Sequence, residues 1–313
     1  MSETESFWRV FMRKRAGVVG LAMLVSIILV GVLAPWIAPF DPNDPITATS
    51  SAVMASPRLE HPLGQDEIGR DVLSLVIYGT RISLLVGFAA SLIIVLLGCM
   101  VGLVAGYAGG WVDTLLMRIT DGILVIPALP LMLVIIAVAG RGINNIILVI
   151  GLLTWTYMAR TVRAQVLTVK ERQFVLRARA IGVSHPGIVM FHILPQVLPV
   201  IFASATLDVS YAILSEASLS FLGLGDPTLV SWGSILNRAF SRGAVSKGAW
   251  WYLLPPGVAL AWVTLGLALL SNAIQEIINP RLGTHHLFDE RKTVSLLRDL
   301  SRPRPPAQEQ TGS

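Results

Sequence analysis

Two carboxylates stand in an otherwise apolar stretch of this sequence. Asp208 and Glu216 lie within residues 197–222, a stretch long and apolar enough to cross a membrane. Hydroxyl side chains accompany them: Thr206, Ser210, Tyr211, Ser215, Ser218 and Ser220. Ionisable groups in such a stretch are costly and usually face a bundle interior or a water-filled cavity. We therefore predict that it lines a solute path, with Asp208, Tyr211 and Glu216 as candidate residues. Alternatively, each carboxylate is paired within a static bundle, or Glu216 lies at the outer surface.

A second group of charged residues lies in the polar stretch from Thr161 to Pro195. With its edges, this stretch carries Arg160, Arg163, Lys170, Arg172, Arg177 and Arg179 against the single acid Glu171. Within it, Phe174, Val175, Ala178 and Ile181 recur at helical spacing, which predicts a short amphipathic helix. Gly182 ends this helix, and Ser184 with Pro186 can begin the next one. A helix, glycine turn and helix suit insertion into a groove on a partner, whereas the alternative is an ordinary ordered loop.

Several kinds of chemistry are not supported by the sequence. It contains no G-x-x-x-x-G-K-[ST] phosphate loop, and neither a Ser/His/Asp set nor a carboxylate pair stands out. His285 and His286 are adjacent and supply too few ligands for a metal site. Cys99 is the single cysteine, which excludes an intrachain disulfide. We therefore predict no catalytic residue, no metal site and no cofactor bound by this chain.

The elements that carry these residues are predicted to be membrane helices. The chain is 54% hydrophobic and 14% charged, against about 45–50% and 25% in soluble proteins. Six segments are long and apolar enough to cross a bilayer. They are Val18–Ile37, Ile82–Gly106, Ile123–Ala139, Ile146–Ala164, Val197–Leu222 and Trp251–Ile277. The predicted fold is therefore an all-α polytopic membrane protein with six transmembrane helices, the first of them a retained span rather than a removed signal.

Basic residues predict the orientation of these helices, because cytoplasmic loops carry an excess of Lys and Arg. Arg9, Arg13, Lys14 and Arg15 precede the first span, so the N-terminus, the stretch 161–195 and the C-terminus are expected in the cytoplasm. The last outer loop disagrees mildly, with Arg238, Arg242 and Lys247 against Asp226. The predicted regions are an N-terminus (1–17), a first helix (18–40), an extracytoplasmic loop (41–80), a core (81–280) and a partly disordered tail (281–313). A short helix is expected to lead from the loop into the second span.

Two spacings indicate how the helices pack. Gly98, Gly102 and Gly106 place small residues on one face of the second span, where another helix can approach closely. The alternative is the general enrichment of glycine in membrane helices. Arg118 and Asp121 are three residues apart and are expected to form a local, structural ion pair.

Several strings of residues resemble a known family. The stretch 161–195 is similar to the EAA loop of bacterial ABC-importer permeases: Ala178, Arg179, Ala180, Gly182, Ile193, Leu194 and Pro195 match the pattern, whereas Leu176 occupies its Glu position and Arg177 its first Ala position. His61–Leu84, Gly106–Pro127, Ser220–Gly225, Ser231–Gly233 and Asn279–Leu282 resemble, in the same order, the C-type permeases of oligopeptide, dipeptide and nickel importers.

This resemblance implies a type I (MetI-like) ABC-importer fold, with a five-helix core and one additional N-terminal helix. It implies a multi-pass location in the bacterial plasma (inner) membrane, among lipid. The implied partners are a homologous second permease, two cytoplasmic ATPase subunits that hold ATP and Mg, and an extracytoplasmic binding protein, with no nucleic acid. The residues implied to couple to the ATPases are Phe174, Leu176, Arg177, Ala178, Arg179, Ala180, Gly182, Ile193, Leu194 and Pro195.

The function expected from the resemblance is that of a permease subunit for di- or oligopeptides, without enzymatic activity of its own. Related permeases serve nickel chelates, glutathione, opines or sugars, which are alternative solutes. Two different classes compete: a stand-alone ion-coupled carrier, which shows inverted halves and broken helices, and a membrane-embedded enzyme or assembly factor.

Overall fold

The computed structural model describes residues 9–42 and 53–278, and their regular secondary structure is helical. The helices are α1 (Arg15–Val32), α2 (Ala34–Ile37), α3 (Val72–Ala108), α4 (Gly110–Val125), α5 (Ala128–Ala139), α6 (Ile143–Val169), α7 (Gln173–Ala180), α8 (His185–Phe221), α9 (Trp232–Ser241) and α10 (Trp250–Ile278). Within those described ranges there is no β-strand, and one isolated bridge joins Gln65 and Asp71. The predicted tail 281–313, its two histidines and the Asn279–Leu282 string lie outside the described residues.

Five helices are long and apolar enough to cross a membrane: α1, α3, α6, α8 and α10. The pair α4 and α5 also passes this test, but the two helices are bent by 84° relative to each other. The prediction of one continuous third span over Ile123–Ala139 is therefore wrong. Pro127 lacks a backbone N–H and disfavours helical geometry in Ile126, and Ile126 is accordingly extended, with ψ at 126°.

Two membrane helices begin before the spans that the sequence predicts for them. The short lead-in helix and the second span form one helix, α3, which starts at Val72 rather than Ile82. Asp71 fixes this start because its side chain accepts a hydrogen bond of 2.7 Å from the Ser74 N–H. Similarly, the helix predicted to begin after Ser184 and the span predicted from Val197 form one helix, α8, which begins at His185 and passes through a π-helical segment, Ile188–Ile193.

The glycine stripe on α3 lies against α6. A Cβ on Gly98 would stand 2.5 Å from the Met158 Cβ, and one on Gly102 would stand 2.6 Å from the Ala159 carbonyl oxygen. On Gly106 the same atom would lie 2.8 Å from the Val166 Cβ. These distances are shorter than real Cβ atoms adopt, so α3 and α6 approach as closely as they do because all three residues are glycine.

The first helix packs on the last one. A Cβ on Gly20 in α1 would lie 2.6 Å from the carbonyl oxygen of Gly266 in α10. Near the start of α1, Lys14 Nζ donates to Glu276 Oε2 at 2.7 Å. The first span is therefore held chiefly at the side of the bundle formed by α10.

The segment 53–71 is fastened by buried polar contacts before α3 begins. Arg70 Nε donates to Asp66 Oδ2 at 2.7 Å, and His61 Nδ1 lies 3.1 Å from Asp71 Oδ1. Burial raises the pKa of the Asp66 carboxyl, although the nearby Arg70 guanidinium acts in the opposite direction. The Tyr252 hydroxyl donates to Glu67, which ties this segment to the start of α10.

Candidate functional site

The first candidate site is α7, which lies between the long helices α6 and α8. Its inward side chains are fully buried: Val175 is 0% and Ala178 4% exposed. They share an apolar cluster with Val166 of α6 and with Ile188 and Ile193 of α8. Because this cluster joins α7 to both long helices, a force applied to α7 is passed directly to the ends of α6 and α8.

Three apolar side chains of this element face outward. Phe174 is 37%, Leu176 41% and Ile181 81% exposed. We call Phe174, Leu176 and Ile181 the outer face of α7. The sequence pattern groups Phe174 and Ile181 with Val175 and Ala178 by helical spacing, and the structure divides this group, exposing the first two and burying the other two. Arg177 and Arg179 are also exposed.

The turn after α7 depends on Gly182. Its φ of +84° belongs to the left-handed region, which side chains other than glycine adopt at a cost. The Gly182 N–H donates to the Arg179 carbonyl at 3.1 Å, and the Val183 N–H donates to the Ala178 carbonyl at 3.1 Å. Ser184 occupies the N-cap position of α8, but its side chain makes no capping hydrogen bond, which corrects that part of the prediction.

The other residues of the loop pattern differ in their surroundings. Arg179 lies over the Tyr107 ring, at 5.9 Å from its centroid, and the Tyr107 hydroxyl lies 2.7 Å from His185 Nδ1. Ile193 is buried, Leu194 half-buried, and Ala180 and Pro195 exposed. Tyr107 belongs to α3, so the loop also contacts the end of that helix; sequence reasoning did not single out this tyrosine.

Ion pairs connect α4 to α6 beside this loop. Arg163 binds Asp113 with two hydrogen bonds, of 2.5 and 2.6 Å. Arg160 donates to Asp121 at 2.5 Å. The prediction of a local Arg118–Asp121 pair is therefore wrong, because the Asp121 carboxylate faces α6 and binds a guanidinium from there.

The second candidate site is a cavity of about 610 Å³ lined by α8, α6 and the break between α4 and α5. Of the predicted path residues, Asp208 and Tyr211 both line it, and Pro127 and Tyr157 form part of the opposite walls. We refer to it as the Asp208 cavity. Tyr157 was not predicted, because its position on α6 gives no polar signal within the span.

Glu216, the third predicted path residue, does not line the Asp208 cavity. It is buried, accepts a 2.6 Å hydrogen bond from the Ser220 hydroxyl and lies 3.5 Å from the Ser83 hydroxyl. Ser83 in turn accepts from the Trp232 N–H at 3.3 Å. This network joins α8 to α3 and α9, so the structure separates Glu216 from Asp208 and gives it the surroundings of a paired structural carboxylate.

Metal binding finds no support in this geometry. Among residues 9–42 and 53–278, no group of three or more His, Cys, Asp and Glu side chains is arranged to hold an ion.

Comparison with known proteins settles the family. A model described as "Binding-protein-dependent transport system inner membrane component" matches residues 94–284. The chain belongs to this family. A second model, "N-terminal TM domain of oligopeptide transport permease C", matches residues 2–57. The resemblance to ABC-importer permeases is thereby confirmed, as is the all-α multi-pass fold with a separate N-terminal membrane segment.

Individual members of the permease family cover most of the chain. A putative peptide transport system permease protein of Brucella suis is 37% identical over 276 residues, which cover 88% of this chain and 90% of the relative. A putative peptide permease protein of Brucella ovis is 34% identical over 87% of this chain and 89% of its own length. A dipeptide transport system permease protein of Alkalihalophilus pseudofirmus is 33% identical over 86% of this chain and 87% of its own length. Family membership identifies the chain as a membrane permease subunit.

Proposed function

We propose that this chain forms half of the solute path of an ATP-driven importer for di- or oligopeptides. The observation that carries the proposal is α7, a short helix whose inner side is buried against α6 and α8 while Phe174, Leu176 and Ile181 face outward. Such an element receives a partner on one side and passes its movement to two membrane helices on the other. We infer the solute class from the names of the relatives, because those quoted above are peptide or dipeptide permeases.

The proposed assembly contains a homologous second permease, two ATPase subunits and an extracytoplasmic binding protein. In it, α7 enters a groove on an ATPase, as helices commonly enter grooves on their partners. Because Leu176 stands where the related loops carry Glu, the contact is apolar at this point, and we expect an apolar lining in the matching groove. ATP and Mg are held by the ATPases. The N- and C-termini lie in the cytoplasm of a bacterial cell, and the membrane is its inner membrane.

The direct test is uptake by the reconstituted importer. Proteoliposomes containing the permease pair and the ATPases, supplied with the binding protein, should accumulate radiolabelled trialanine when ATP is hydrolysed. They should accumulate none with a non-hydrolysable ATP analogue. Accumulation by this chain alone, without ATP or partners, would instead establish a stand-alone carrier. Accumulation of a nickel chelate, glutathione, an opine or a sugar in place of the peptide would show that the importer serves another solute.

A further inference from the structure

The Asp208 carboxylate is unusual among the buried acids of this protein. Its Oδ2 atom is buried and has no hydrogen-bond partner, and it is the one carboxylate oxygen in this condition in the described part of the chain. The other buried acids are satisfied: Asp66 binds Arg70, Asp71 binds His61 and Ser74, and Glu216 binds Ser220. A buried carboxylate without a partner is costly, so its free oxygen requires a specific explanation.

The Asp208 side chain lines a cavity with the dimensions of a binding site, and its Oδ2 atom itself is buried beside that cavity's wall. The Asp208 cavity, at about 610 Å³, falls in the range of about 300–1,000 Å³ that small-molecule sites occupy. Most of its wall is apolar, including Ile123, Leu124 and Leu214. Polar groups in such a cavity are few and orient the ligand, and here they include Asp208, Ser210 and Tyr211.

The polar groups nearest in the fold indicate the charge of the ligand. Tyr211 lies three residues after Asp208 on α8, which places both on one helix face, and Tyr157 contributes a second aromatic ring from α6. Both side chains line the cavity and are exposed in this chain, Tyr211 at 44% and Tyr157 at 65%. A carboxylate accepts hydrogen bonds only, and aromatic faces attract cations. Together they select a cationic donor, and no cationic side chain lines this cavity.

Taken with the proposed function, on which this inference rests, we propose that Asp208 binds the free ammonium group of the solute as it passes. A primary ammonium carries three donors, and the acceptors that line the cavity include the Asp208 carboxylate and the hydroxyls of Tyr211 and Ser210. A free α-amino group is the cation that every unmodified peptide presents. Sugars do not carry this group, and a bare metal ion would need more ligands than one carboxylate. The site therefore favours ammonium-bearing solutes over neutral ones.

The test measures peptide binding to the permease pair with its ATPases and without the binding protein, so that the preference of the binding protein does not affect the result. Leu214, which lines the same cavity, is replaced by Cys in a Cys99→Ser chain, and maleimide labelling of this chain is followed by mass spectrometry. Trialanine should protect Cys at position 214 at a concentration at least about tenfold lower than N-acetyl-trialanine, because the acetyl group removes the charge.

Two variants test whether Asp208 causes the preference for trialanine over N-acetyl-trialanine. Asp208→Asn should raise the trialanine concentration for half-protection by about tenfold or more, while the N-acetyl-trialanine value changes less than twofold. Asp208→Glu keeps the charge and should retain most of the preference for trialanine. Equal shifts for both peptides, or no protection by either, would overturn the proposal.

A role of Asp208 in assembly would also overturn it. If Asp208→Asn releases the second permease during purification, the carboxylate binds a basic group of that subunit rather than the solute. Trialanine uptake by the unmodified importer is measured on the same preparation after the binding protein is added. Uptake without selective protection refutes the ammonium site alone, whereas absence of peptide uptake refutes the proposed function.

Discussion

At the residue scale, the turn between α7 and α8 depends on Gly182. Nothing lies within 4 Å of the position that a Cβ would take there, so a side chain would meet no neighbour. The constraint is the backbone, because φ is +84°. A β-branched residue in this conformation is strained by roughly 1–3 kcal/mol, and it relieves the strain by opening the turn between α7 and α8.

We therefore predict that Gly182→Val uncouples ATP hydrolysis from transport. The variant should enter the membrane and assemble normally, since its membrane helices are unchanged, but should move several-fold less peptide per ATP hydrolysed. Peptide uptake and phosphate release are measured together in the same proteoliposomes. Gly182→Asn is the matched control, because Asn tolerates the left-handed region, and it should remain close to the unmodified ratio. Normal coupling in Gly182→Val would argue against the proposed role of this turn.

Side-chain partners were the least predictable feature at this scale. Sequence spacing correctly suggested that Gly182 ends α7, because a glycine after a helical pattern has a direct backbone meaning. The same kind of reasoning failed for Asp121, which reaches Arg160 on another helix instead of Arg118. For Asp208 and Glu216 the sequence presents two similar intramembrane acids. Only the fold places serines around Glu216 and leaves one oxygen of Asp208 without a partner.

At the scale of elements, the contact between α3 and α6 is set by the absence of side chains. Replacing glycine by alanine inside a helix normally stabilises it by up to about 1 kcal/mol. At Gly98 the cost of overpacking exceeds this gain, because the new Cβ would lie 2.5 Å from the Met158 Cβ. Overpacking of this kind costs roughly 1–3 kcal/mol. At Gly122, in α4, nothing lies within 4 Å of the same atom.

The two substitutions should therefore affect thermal stability differently. Gly98→Ala is expected to lower the melting temperature of the purified chain in detergent, and Gly122→Ala to leave it unchanged or raise it. Fluorescence-detected size-exclusion chromatography after heating measures both. Equal thermal stability of the two variants would mean that the helices separate easily at Gly98, contrary to the close contact described here.

Helix positions were predicted well where apolar length decides them, and poorly where a local break does. The spans corresponding to α1, α6 and α10 were placed correctly to within a few residues, since about 20 apolar residues leave little freedom. The third span was drawn through Pro127, whose effect on Ile126 divides it into α4 and α5. The start of α3 was placed too late because residues 72–81 include polar positions that the fold buries, among them Ser74 and Thr80.

At the scale of the whole molecule, the orientation in the membrane follows from charge placement and is a separate prediction. Arg172 precedes α7 and Arg242 follows α9, and both are exposed. Each is replaced singly by Cys in a Cys99→Ser chain. In intact spheroplasts, an impermeant maleimide should label the Arg242→Cys chain, whereas the Arg172→Cys chain should react only after the membrane is opened. The reverse pattern would invert the topology and remove α7 from the side where the ATPases hydrolyse ATP.

In the whole molecule, α8 connects α7 to the Asp208 cavity. The buried cluster behind α7 includes the start of α8, and Asp208 and Tyr211 lie further along that same helix. A displacement of α7 therefore reaches the cavity through one continuous helix. The sequence analysis begins this span at Val197 and assigns the preceding residues to a separate loop, so it does not show that both belong to one helix.

We expect the outer face of α7 to contact an ATPase subunit, and cross-linking from Ile181 detects this contact. Ile181→Cys in a Cys99→Ser chain is coupled to a maleimide carrying a photoreactive benzophenone, and the assembled importer is illuminated. Val245→Cys, in the segment between α9 and α10, is the control because its side chain is similarly exposed, at 63% against 81% for Ile181. We predict a covalent product with the ATPase from position 181 and none from position 245. An importer that transports peptide with ATP yet gives no ATPase product from position 181 would contradict the account.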